Sequence, residues 1–178
     1  MNSQQLVERF NMQPHPEGGF YAETFRSSDL VNTPKGERSA STAIYFLMTR
    51  GNISRLHRIQ SDEVWHFYLG APITVVEIDQ AGARRTVLGP DIAAGQLVQY
   101  VVKRGTWFGS FPNIPAPEWQ NAEAPTGAGA EEAAFSFVGC TVAPGFEFSD
   151  FELASRAALL EQYPDAAKEI ELLTEGLP

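Results

Sequence analysis

From residue 41 onward the apolar positions come in short bursts. STAIYFLM (residues 41–48) is almost continuous, and SRLHRI, EVWHFYLG, ITVVEID, RRTVLG and LVQYVVK follow it. Gly51-Asn52, Ser61-Asp62, Gly70-Ala71-Pro72, Gly82 and Gly89-Pro90 punctuate the runs. Brief runs between closely spaced turn signals predict the strands of an antiparallel sandwich or barrel. Ahead of them, residues 3–12 carry Leu6, Val7 and Phe10 on one helical face, with Ser3 as the expected cap. Pro16 and Gly18-Gly19 in HPEGG stop that helix in a turn. YAETFRS (Tyr21 to Ser27) alternates as a strand, and the polar residues 28–40 are expected to be a loop.

Residues 112–131 break the pattern with Pro, Ala and Gly. They are expected to be a flexible surface insertion, the sharper alternative being a lid anchored by Trp119. AAFSFVGCTV returns to strand. Leu153, Ala157, Leu160 and Tyr163 then follow helical spacing, and Ser149 or Asp150 is expected to cap that helix. Pro164 interrupts it, and Asp165 can cap a second short helix ending at Leu173. No internal repeat is visible, so residues 1–178 are expected to form one domain.

Composition adds limits. With 43% apolar and 20% charged residues the chain is expected to fold as a soluble globule. A net charge of −9 repels phosphate backbones and anionic lipid, which argues against nucleic acid and membrane partners. One cysteine, Cys140, cannot form an internal disulfide, and MNSQQLVERF lacks the pattern of a signal peptide. Together these predict a cytoplasmic setting.

The chemistry concentrates in GNISRLHRIQSDEVWHFYLG, residues 51–70. Side chains two apart share a strand face, so His57 goes with Ile59, and Glu63 with Trp65 and Phe67, while His66 and Tyr68 point outward. A hairpin at Gln60 to Asp62 would bring His57 and Glu63 together across it. An imidazole beside a carboxyl in an apolar barrel can ligate a metal, move protons, or serve as a satisfied structural pair. By alternation with His57, Arg55 is expected to point inward rather than Arg58. Phosphate-cradling Gly-Lys-Ser/Thr loops, GxSxG, a dinucleotide fingerprint and CxxC are all absent.

Gly51, His57, Glu63 and Gly70 resemble the first motif of the cupin superfamily, a Gly, a His-x-His pair, a Glu and a Gly. HPEGGFYAETFRS, IYFLM, SRLHRIQSDEVWHFYLG, VGCTVAPGFEFSDFELASR and LLEQYP resemble one cupin-like branch for which no reaction is settled. The resemblance implies an all-β, cupin-type double-stranded β-helix (jelly roll) with short N- and C-terminal helices. It also implies a pocket at the barrel mouth and a homodimer, for which exchange at the Tyr21 to Ser27 strand would cover an open edge. Two departures matter. Ile59 replaces the second His of the pair, and in KRGTWFG, after Gly105, Phe108 stands where the second motif has a His. Cupin metal sites use three His and one Glu, and two ligands hold a metal poorly. No cofactor is therefore expected, a divalent metal on His57 and Glu63 being the lesser alternative.

By the same resemblance Trp107 and Phe108, with Trp65, are expected to wall the pocket, and Glu17 to reach a ligand from HPEGG. Tyr21 and Arg26 are further candidates. The reading is a small-molecule site for a sugar-like or hydroxylated ligand, with His57 as base and Glu63 orienting it or sharing the proton. An isomerase or epimerase working without metal is the first expectation. A non-catalytic binding or sensing protein and a degenerate metal-dependent enzyme are the alternatives.

Overall fold

A computed structural model describes residues 1–114 and 135–176. Of the expected insertion or lid, Pro112 ends a strand, and residues 115–131 with Trp119 fall outside the described residues. Two antiparallel sheets face each other. One has the strand order β1 (Gln13–Pro14), β2 (Phe20–Arg26), β5 (Thr42–Thr49), β12 (Phe135–Ala143), β7 (Asp62–Gly70), β10 (Gln99–Val102). The other runs β13 (Glu152–Leu153), β6 (Ser54–Arg58), β11 (Trp107–Pro112), β8 (Ile73–Asp79), β9 (Gly82–Leu88). From β5 to β8, and again from β10 to β13, successive strands alternate between the sheets, the winding of a jelly roll.

The period-two pattern distributes three apolar clusters. Phe46, Trp65, Val75, Phe108 and Val138 fill the space between the sheets. On the outer face of the five-stranded sheet, Leu56, Val76, Ile78 and Trp107 pack against the C-terminal helices α2 (Arg156–Gln162) and α3 (Ala167–Leu173) through Leu159, Ile170 and Leu173. On the outer face of the six-stranded sheet, Leu47, Phe135 and Phe137 lie under Leu6 of α1 (Ser3–Phe10). Because both faces of β8 are covered, ITVVEI is buried at every position instead of alternating.

Several local expectations are corrected. Asn2, not Ser3, caps α1: its side chain accepts from the Gln5 backbone N–H while Gln5 returns a bond to the Asn2 backbone N–H, a reciprocal cap. Residues 28–40 are not a plain loop, because Gly36 at φ +111° turns β3 (Leu30–Thr33) onto β4 (Gly36–Ser39). Asp150 does not cap α2. It pairs with Arg38 and Lys35 and pins the β3–β4 hairpin to the segment before β13. The turn after β6 is not a hairpin either, since β6 and β7 belong to opposite sheets. Among the described residues no helix is long and apolar enough to cross a membrane.

Candidate functional site

The sheets part at one end around a cavity of about 300 Å³. Glu17, Tyr21, His57 and Glu63 all line it. His57 comes from β6 and Glu63 from β7, so the two approach from opposite sheets. The carboxylate in contact with His57 is that of Glu17, with Oε2 3.2 Å from Nε2.

Two backbone irregularities build this arrangement. Gly18 sits at φ +119°, and a Cβ there would stand 2.1 Å from the Ile53 carbonyl oxygen. Only glycine lets the HPEGG turn lie this close to the chain entering β6. The Arg55 N–H then donates to the Glu17 carbonyl at 2.8 Å, fixing the turn with the Glu17 side chain inward. The second irregularity is a bulge. His57 pairs with Phe108 and Ser54 with Ser110, so β6 holds one residue more than β11 between these pairs. Ser54 and His57 therefore reach the same carboxyl, Ser54 Oγ donating to Glu17 Oε1 at 2.8 Å.

The bulge also overturns the inward reading of Arg55. Its guanidinium runs outward to the carbonyls of Glu175 (3.2 Å) and Pro16 (3.4 Å). The expected aromatic walls are corrected as well. Trp107 faces the helices on the outer side, with Arg58 stacked on it at 4.5 Å. Trp65 lies in the core against Phe46 and Phe108 and does not line the cavity. Phe108 is buried behind the His57 ring, centroids 4.1 Å apart, and supports that ring from below. His66 is on the outer face, as alternation requires, 3.1 Å from the Thr141 hydroxyl.

The walls are instead Phe46 and the PGFEFSDF segment, which contributes Phe146, Phe148 and Phe151. His15 and Cys140 also line the cavity. Three Phe within six residues were the available signal for the first group. For Cys140 the sequence holds no signal, because its neighbour Glu63 is distant in the chain and meets it across β12 and β7.

The hydrogen bonds fix where protons lie. His57 Nδ1 is 2.7 Å from the Arg55 carbonyl oxygen, which can only accept, so Nδ1 carries a hydrogen. The neutral ring then presents a lone pair on Nε2 to Glu17, and one proton serves the pair. Burial disfavours the charged forms of both, pushing the His57 pKa down and the Glu17 pKa up, which places that proton on Glu17. His15 Nδ1 accepts the Glu17 backbone N–H at 3.3 Å, so the hydrogen of its neutral ring is on Nε2. Burial lowers the His15 pKa too, with Glu17 acting against it. Across the cavity, burial raises Glu63 to about 7, opposed by His57 and reinforced by Glu17. The Cys140 thiol bonds to Glu63 and is itself pushed well up by burial, so it stays protonated.

A family described as Cupin superfamily (DUF985) matches residues 4–154. The chain belongs to this cupin family. A hypothetical protein from Leishmania major is 34% identical, with 97% of this chain and 98% of that one superposed at a TM-score of 0.83. A protein from Shewanella oneidensis is 36% identical, with 97% of both chains covered and a TM-score of 0.79. An uncharacterized protein from Saccharomyces cerevisiae is 26% identical over 159 residues, 83% of this chain and 72% of its own length. Oxalate decarboxylase from Bacillus subtilis matches at 10% identity and a TM-score of 0.52, covering 94% of this chain and 38% of that one, and shows the fold alone.

The cupin fold raises the question of a metal, and the donors of this cavity do not fit one. Ile59 and Phe108, where the family pattern has histidines, are apolar and buried. His57 has Nδ1 committed to a carbonyl and Nε2 facing Glu17. Among the described residues no group of three or more His, Cys, Asp or Glu is arranged to hold a metal ion.

Proposed function

We propose that this cupin is a small-molecule isomerase or epimerase that moves a proton on a hydroxylated, carbonyl-bearing ligand without a metal. The observation that carries the reading is the presence of two proton carriers on opposite walls of one cavity. Glu63 on the six-stranded sheet has a pKa of about 7, which lets it accept or return a proton at neutral pH. The Glu17–His57 couple faces it from the other side with one shared proton. Carriers on two faces of a bound carbon acid let one remove a proton while the other delivers one, which inverts a centre or shifts a carbonyl. His15 orients Glu17, Phe108 steadies the His57 ring, and the aromatic walls limit water.

The test is deuterium uptake from heavy water into a panel of small hydroxylated aldehydes and ketones, followed by mass spectrometry. Catalysed exchange is expected in the wild type, falling roughly 100- to 10,000-fold in Glu63→Gln and in His57→Ala. Ligands that bind but never exchange would leave a binding or sensing protein. Exchange that appears only with added divalent cation and disappears with chelator would restore the metal-dependent alternative.

We also infer a homodimer in a reducing, cytoplasmic setting. β1 pairs with β2 only at Phe20 and Tyr21, which leaves the edge from Ala22 to Arg26 open to a second copy. Cys140 is a free, buried thiol. Light scattering is expected to give twice the chain mass, and a monomer would contradict the dimer.

A further inference from the structure

Four carboxyl side chains line the cavity: Glu17, Glu23, Glu63 and Glu147. Among the described lining residues the one guanidinium is that of Arg26. Two of those carboxylates already hold it. Arg26 Nε and Nη2 donate to Glu23 at 3.0 and 2.8 Å, and Nη1 donates to Glu147 at 2.8 Å. Other cations are engaged elsewhere, Arg55 with backbone carbonyls, Arg58 with Glu152, and Lys35 and Arg38 with Asp150. Among the described lining residues an anionic ligand would find the one guanidinium already held by two carboxylates and would face the partly ionised Glu63, which costs desolvation and repulsion together.

Much of the remaining surface is aromatic. Tyr21, Phe46, Phe148 and Phe151 surround the His15 ring at centroid distances of 4.8 to 6.1 Å, and Phe146 packs beside Phe148. Ring faces next to carboxylates are the surroundings in which amines and quaternary ammonium groups bind in preference to neutral groups of the same shape. We infer that the ligand carries a positive charge, an amino or ammonium group seated between the Phe148–Phe151 rim and the Glu63 wall. Phosphorylated and carboxylated molecules are excluded by the same walls. This rests on the reading of the cavity as a ligand site and adds the charge class of what enters it.

Three probes of one shape separate charge from size: choline, its uncharged carbon isostere neohexanol, and the tert-butylacetate anion. The wild-type protein with labelled isoleucine methyls is titrated with each. Ile44 and Ile59 line the cavity and report entry, while Ile170, on the buried face of α3, is the control. Choline is expected to bind about tenfold tighter than neohexanol, and the anion not to bind. Phe151→Leu, which keeps apolar bulk, is expected to weaken choline several-fold and leave neohexanol nearly unchanged. Neohexanol or the anion matching choline would overturn the charge assignment while keeping the cavity as a ligand site. Silence of Ile44 and Ile59 towards all three at high concentration would overturn both.

Discussion

Glu77 and Glu63 are both buried carboxyls in strands that face each other, β8 in one sheet and β7 in the other. Glu77 has an ionic partner: Tyr100 donates its hydroxyl to Oε2, and Arg84 Nη2 donates to the same oxygen at 2.9 Å. The cost of this is visible on the partners, since burial and Glu77 raise the Tyr100 pKa, and Glu77 raises that of Arg84. The result is a clasp between β10 and β8, a structural use of a buried charge. Glu63 has a thiol and a neutral imidazole nearby, no guanidinium among the described residues pairs with it, and its pKa climbs to about 7. A buried acid given an arginine holds sheets together, and one without it is left with a pKa near neutrality.

The largest effect should come from Gly18→Ala, which attacks the cavity and spares the clasp. The new Cβ meets the Ile53 carbonyl at a positive φ, so urea denaturation is expected to show a loss of roughly 3 kcal/mol or more. The HPEGG turn should move and take Glu17 with it. Next in size is Glu63→Gln. The folded-state pKa of Glu63 is raised from 4.5 to about 7, so the folded protein binds more protons than the unfolded chain in that window. Its contribution to stability is therefore present at low pH and lost as pH rises through about 7, a difference of about 3 kcal/mol. The variant should lack this fall, seen as a flatter stability profile between pH 5 and about pH 8. The buried histidines act in the opposite direction on acidification, and because His57 and Glu63 are coupled, the difference between the two profiles reports Glu63 together with its effect on His57.

Glu77→Gln should be smaller, about 2 kcal/mol, because it trades charge-assisted bonds to Tyr100 and Arg84 for neutral ones and Arg84 is largely solvated. It should leave choline binding intact, which separates clasp from cavity. Smallest is Arg58→Ala, about 0.5 kcal/mol for a partly exposed stacking contact on Trp107, with no change at the cavity.

Short apolar runs and their turns were enough to read the jelly roll, and the terminal helices followed from spacing. His57, Glu63, Glu17 and Tyr21 were legible as candidates, and the structure brings them to one cavity. What the sequence could not show were features decided by register. The β6 bulge adds one residue and sends Arg55 outward, which strict alternation cannot anticipate. Trp107 is no pocket wall because α2 and α3 cover the outer face and give an aromatic residue a second place to be buried. The contact between His57 and Glu17 spans forty residues of sequence and depends on one glycine conformation.

The central claim is that His57 and Glu17 share a single proton within the cavity. Nitrogen NMR of the His57 ring tests it most directly. The prediction is a neutral ring at neutral pH, protonated on Nδ1 with Nε2 as acceptor, that titrates below the ordinary histidine range. A ring protonated on Nε2, or one that titrates like a histidine in water, would contradict it.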